Sequence, residues 1–255
     1  MGRLIGYVAN RSDRLEDVLS EERAAVGDTP DGAAEAWGLG FYQGGEILHR
    51  KRPSRGDSPV PWTEIAGGVR TDCAVIHLRQ ATVGDYRAEN THPFRMRQWL
   101  FAHRGTVQGF DAIREALLAS MPDFLKRGIR GTTDSEHVFA AFLSFLHDEG
   151  QLDATDLDPG MVLAATRSTF SLVDRLTAEV GAPEAELDLM ISNGRALFVV
   201  RRGRPVHYVR RELGGADATR SHDRKARGVG LEHDAAEGVV VARQEKDVCR
   251  SVGSL

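Results

Sequence analysis

His77-Leu78-Arg79-Gln80-Ala81-Thr82, Asn90-Thr91-His92-Pro93-Phe94, Phe101-Ala102-His103-Arg104-Gly105 and Gly131-Thr132-Thr133-Asp134-Ser135-Glu136 follow one another through the centre of a 255-residue chain. The first closes an apolar run, 72–79, whose β-branched Val75 and Ile76 predict a strand. The third closes another, 99–103, ended by an Arg104-Gly105 turn. The fourth opens a helix. Thr133 to Glu136 are capping and first-turn residues, and 134–147 sets Val138, Phe142, Phe145 and Leu146 close to one face.

Outward from this centre the blocks separate by period and punctuation. Residues 4–9 read as a buried strand. Residues 37–42 and 46–50 read as two strands around Gly44-Gly45, a hairpin signal. Residues 52–62 hold three prolines, two serines and Gly56, which predicts a loop. A second long helix is expected over 159–180, with Val162, Ala165, Leu172, Val173 and Leu176 recurring along it. Strands follow at 187–191, 196–200 and 206–209, then a polar surface segment over 212–237, then a last strand at 239–242. Strands, two helices, then strands, without βαβ alternation, point to an α+β fold of mostly antiparallel sheets layered with helices.

Bulk properties set milder bounds. With 41% hydrophobic and 27% charged residues the composition is that of a soluble globular protein, and a net charge of −4 gives no reason to expect nucleic-acid binding. No apolar run approaches the roughly 18 residues of a membrane helix, and charges among the first twenty residues break any signal-peptide core. Cys73 and Cys249 form no metal-ligand spacing, so a reducing cytoplasm is the simplest setting. Nine scattered histidines show no H-E-x-x-H or similar motif, and no metal or cofactor is implied. His77 and His103, on strands, read as core residues or supports behind a site. The Arg201-Arg202-Gly203-Arg204 run reads as part of a solvated hairpin.

The four ordered motifs resemble the class II glutamine amidotransferases, a branch of the N-terminal-nucleophile hydrolases. The resemblance runs over nearly the whole chain, and looks closest to stand-alone γ-glutamyl amide hydrolases of thiol metabolism. It implies a four-layer αββα sandwich in a single domain, 1–255, with no attached synthetase domain.

It also implies roles. In the family a cysteine at position 2, exposed once Met is trimmed, attacks the glutamine amide, its own α-amine acting as base; this chain has Gly2. An Asn-Gly pair forms the family's oxyanion hole, and Arg104-Gly105 stands there instead. Arg79 matches the arginine that clamps the substrate α-carboxylate. Asp134 matches the aspartate that holds the α-amine, and Thr82 and His92 match positions lining the same pocket. Read without the resemblance, Asp134 is equally a helix-terminal carboxylate and Arg79 a buried ion-pair partner. Arg104 is expected to turn into the space of the missing side chain and pair with Asp134.

Three functions follow as expectations. The first is a catalytically impaired amidotransferase-like protein that binds glutamine, glutamate or a γ-glutamyl compound, or serves a protein partner as a non-catalytic subunit. The second is an active amidohydrolase whose position-2 cysteine has been exchanged for glycine. The third is an interaction module without a ligand.

Overall fold

Trp37-Gly38-Leu39-Gly40-Phe41 alternates large and absent side chains with the two-residue period of a strand. The computed structural model, which describes residues 2–9, 11–26, 36–53, 62–79, 87–154, 156–202, 206–210, 238–242 and 249–251, shows why. Trp37, Leu39 and Phe41 point to one face and are buried against Leu15, Val18 and Leu19 of helix α1 (Leu15–Val26) and Trp62 and Ile65 of α2 (Trp62–Ala66). Gly38 and Gly40 point to the other. A Cβ on Gly38 would stand 1.9 Å from the His92 carbonyl oxygen, and one on Gly40 2.6 Å from Pro93 Cγ. Bare positions on this face let a second sheet approach closely.

The first sheet runs β3 (Glu46–Pro53), β2 (Ala36–Gln43), β4 (Cys73–Arg79), β1 (Arg3–Val8), β10 (Gly238–Ala242), β9 (His207–Arg210). The second runs β11 (Cys249–Ser251), β8 (Leu197–Val200), β7 (Asp188–Ser192), β6 (Trp99–Arg104), β5 (Phe94–Met96). Pairing is mostly antiparallel, as expected; β1–β10, β10–β9 and β11–β8 are the parallel exceptions. Helices α3 (Phe110–Ala119), α4 (Asp123–Lys126), α5 (Asp134–Asp148) and α6 (Pro159–Glu179) share one core with the second sheet, where Phe101 stacks on Phe139 and Trp99 meets Phe142 edge-on. The layers are therefore helix, sheet, sheet, helix. Among the described residues no helix is long and apolar enough to cross a membrane.

Several elements differ from the sequence reading. The expected loop over 52–62 loses both ends: β3 continues to Pro53, and Trp62 opens α2. Proline is tolerated there because β3 is an edge strand. Helices α1 and α3 were not anticipated. Each buries only three residues on its described face, Leu15, Val18 and Leu19 or Phe110, Ile113 and Leu117, within otherwise polar sequence. The segment 212–237 lies outside the described residues.

Candidate functional site

A cavity of about 240 Å³ opens at one end of the sheet sandwich. One wall is Gly2, His77 and Arg79 with His92; the opposite wall is His103, Arg104, Gly105, Thr106 and Gln108 from the end of β6; Thr133, Asp134, Ser135 and Glu186 close it. Among the predicted residues, Gly2, Arg79, His92, Arg104, Gly105 and Asp134 all meet in this cavity. Thr82 lies outside the described residues. Among the described residues no three His, Cys, Asp or Glu side chains converge as a metal site.

Asp134 is held by local geometry. It is the first residue of α5, after an N-cap whose Thr133 hydroxyl accepts from the Glu136 N–H at 3.3 Å. Its Oδ2 accepts from the Val107 N–H and its Oδ1 from the Ser135 N–H, both at 2.8 Å. The loop before the helix is also fixed. The Glu136 carboxylate accepts from the N–H groups of Arg130 and Gly131, and Asn90 Oδ1 accepts from the Thr132 N–H. Burial pushes the Glu136 carboxyl above its ordinary range, against these donors. Arg79 ends β4 on the facing wall and is 4% exposed.

His103 links two walls. Its Nε2 lies 2.9 Å from the Glu186 carbonyl oxygen and its Nδ1 2.8 Å from Ser135 Oγ. A carbonyl only accepts, so His103 Nε2 carries a proton and donates it to Glu186, while Nδ1 shares a hydrogen bond with the Ser135 hydroxyl. His103 thus orders the start of α5 from behind.

Arg104 does not pair with Asp134. Its Nη2 and Nε donate to Asp188 Oδ2 at 2.7 and 3.2 Å, and both side chains are almost wholly buried. The other Asp188 oxygen accepts from the Arg202 N–H. The expected Arg104–Asp134 contact fails because β7 runs antiparallel to β6 and sets Asp188 directly opposite Arg104, whereas both Asp134 oxygens already accept from α5 and Val107. Gly105 has φ of 139°, and a Cβ there would stand 1.9 Å from the Glu186 carbonyl oxygen, so only glycine fits this turn.

At Gly2 the surroundings leave no room for a side chain as they stand. A Cβ would lie 2.7 Å from the Leu78 carbonyl oxygen and 2.8 Å from His77 Nε2. His77, expected in the core or behind a site, lines the cavity: it sits two residues before Arg79 on β4 and shares its face. Burial first, then the nearby Arg79 and Arg104 cations, pushes His77 down to about 3. Its ring packs 4.3 Å from that of His92, which burial likewise holds well below the usual histidine range. Both imidazoles are neutral at physiological pH.

Comparison with known proteins identifies the family. The family model for class-II glutamine amidotransferases matches residues 3–244. The chain belongs to that family. It is 27% identical over 166 residues to YafJ of Escherichia coli, provisionally named a glutamine amidotransferase, which covers 63% of this chain and 58% of YafJ. It is 29% identical over 199 residues to the gamma-glutamyl-hercynylcysteine sulfoxide hydrolase of Mycobacterium tuberculosis, covering 74% of this chain and 68% of that protein. The structure of a glutamine aminotransferase class-II domain protein from Silicibacter pomeroyi superposes with a TM-score of 0.55 at 22% identity, over 79% of this chain and 76% of that one. The chain spans under two thirds of the length of YafJ.

The sequence reading missed Thr106, Gln108, Ser135 and Glu186 as cavity residues, and Asp188 as the partner of Arg104. His77 had a signal in its i, i+2 spacing from Arg79. Asp188 had none, because the 84-residue separation is closed only by the sheet. Arg202, expected in a solvated hairpin, instead stacks over Phe170 and pairs with Asp174 and Glu184.

Proposed function

We propose that this chain is a class II glutamine amidotransferase-like protein that binds glutamine, glutamate or a γ-glutamyl compound without efficient turnover. The observation that carries the reading is the position-2 wall: Gly2 has no attacking atom, and the Leu78 carbonyl oxygen and His77 ring crowd the place where one would start. Loss of the covalent route removes many powers of ten in rate. The oxyanion position is altered too. Arg104 is tied to Asp188 rather than presenting an amide, and a single lost oxyanion donor costs about 10²–10³ in rate. Nor does His77 replace the lost base, since an imidazole held near 3 takes a proton poorly at neutral pH.

The grip on an amino acid is the part that remains. Arg79 and Asp134 face one cavity, an arginine for an α-carboxylate and a carboxylate for an α-amine. The second reading, an active enzyme with cysteine at position 2, is disfavoured by the same contacts, since that side chain needs His77 and the chain near Leu78 to shift.

The test is a thermal-shift titration with glutamine, glutamate and a γ-glutamyl dipeptide, with Arg79→Ala as control. A saturable rise in melting temperature, lost in Arg79→Ala, is the expected result. No shift with any of the three leaves the non-catalytic-subunit and interaction-module readings. Gly2→Cys alone is expected to leave ammonia release from glutamine at background.

A further inference from the structure

His77 presents one ring nitrogen to each of two environments. Its Nδ1 is buried with no hydrogen-bond partner, whereas its Nε2 is directed to the cavity beside Gly2. The ring is neutral, so it carries one proton. Buried protein tolerates an orphaned N–H less readily than an under-used acceptor. The proton therefore sits on Nε2, and His77 is a donor into the cavity. Behind it His92 supplies no acceptor: both its ring nitrogens are buried without partners, and the ring is wedged between His77 and Phe94. Across the cavity stands the Arg104 guanidinium, a second N–H group, fixed in place by Asp188. At the position-2 end, then, the side chains from both walls are donors.

We propose that this end of the cavity receives a carboxylate rather than a carboxamide, so that the protein selects an acidic amino acid such as glutamate over glutamine. The inference rests on the amino-acid-binding reading, in which Arg79 and Asp134 hold the α-groups and the ligand side chain points toward Gly2. A carboxylate is acceptor-only and meets donors with both oxygens. A carboxamide brings two further N–H groups to an end where the side chains are themselves donors, so those groups find no side-chain partner, at the cost of desolvation. The α-groups are the same in both ligands, so their contacts cancel from the comparison.

Isothermal titration of the full chain at neutral pH with L-glutamate and with L-glutamine tests this. Glutamate is expected to bind about tenfold tighter or more, the difference between charge-assisted and mismatched hydrogen bonding. His77→Phe keeps a ring and removes the donor, and is expected to narrow the ratio to about threefold or less. His77→Gln keeps a side-chain N–H and should hold more of the preference. Equal affinities in the wild-type protein, or tighter glutamine, overturn the selectivity while leaving the amino-acid site standing. No heat from either ligand removes the amino-acid reading itself. An unchanged ratio in folded His77→Phe overturns the assignment to His77, and if that variant fails to fold the wild-type ratio still decides the selectivity.

Discussion

The two ends of the cavity are built on different principles. At the Asp134 end, one carboxylate is held by backbone N–H groups at a capped helix start, with Thr133, Glu136 and Asn90 fixing the loop before it. At the Gly2 end, two neutral imidazoles pack ring to ring without hydrogen bonds, and a cation meets a buried counter-charge across two strands. The first end is over-determined and tolerant, because it rests on several modest contacts. The second depends on a few desolvated groups, where loss of one partner strands another.

The sharpest way to break the contrast is Asp188→Ala. It removes a buried counter-charge from Arg104 in a site of 2–3% exposure, and about 3–5 kcal/mol of stability should be lost in urea unfolding. Arg104→Met with Asp188→Leu should recover most of that loss, because an apolar pair needs no desolvation. A cost under about 1 kcal/mol for Asp188→Ala would mean that the pair is hydrated. Next in size is Gly38→Ala. Its Cβ would stand 1.9 Å from the His92 carbonyl oxygen, so the sheets must separate beside the histidine pair. About 1–3 kcal/mol is expected by thermal or chemical denaturation.

A pH series sharpens the comparison further. His77 is held at about 3 in the native state against 6.5 when free. The unfolded chain therefore takes up a proton that the native state refuses. This contribution is fully present above about pH 6.5 and is lost as pH falls toward 3, at about 1.4 kcal/mol per pH unit. The slope of stability against pH over this window should be shallower in His77→Phe by that amount. At the Asp134 end the smallest effect is expected: Thr133→Ala should cost about 1 kcal/mol, the usual worth of an N-cap.

Much of this contrast was legible in the chain, and unevenly. The Asp134 end was readable because its determinants are local: Thr133-Asp134-Ser135-Glu136 announces a helix start, and the structure begins α5 at Asp134. The layered arrangement was also readable, since Trp37-Gly38-Leu39-Gly40-Phe41 carries a strand period and the strands and long helices fall in order. At the Gly2 end the residue types were legible and their partners were not. Arg104 was visible as a departure, yet its partner follows from the register of β6 against β7, which brings residues 84 apart face to face. His77 and His103 read as core residues or supports behind a site, because a histidine on a strand has no local mark of which wall it joins. Helices α1 and α3 were missed because three buried apolar residues apiece give a weak periodic signal.

The central question is whether the cavity holds an amino acid that it does not convert. Saturation-transfer proton NMR of L-glutamine mixed with the full chain reads both in one sample. The predicted result is transfer to the glutamine signals, absent with Arg79→Ala, and no growth of glutamate signals on prolonged incubation. Glutamate accumulating beyond one equivalent of protein would contradict the loss of turnover, and absent transfer in the wild-type chain would contradict the retained grip.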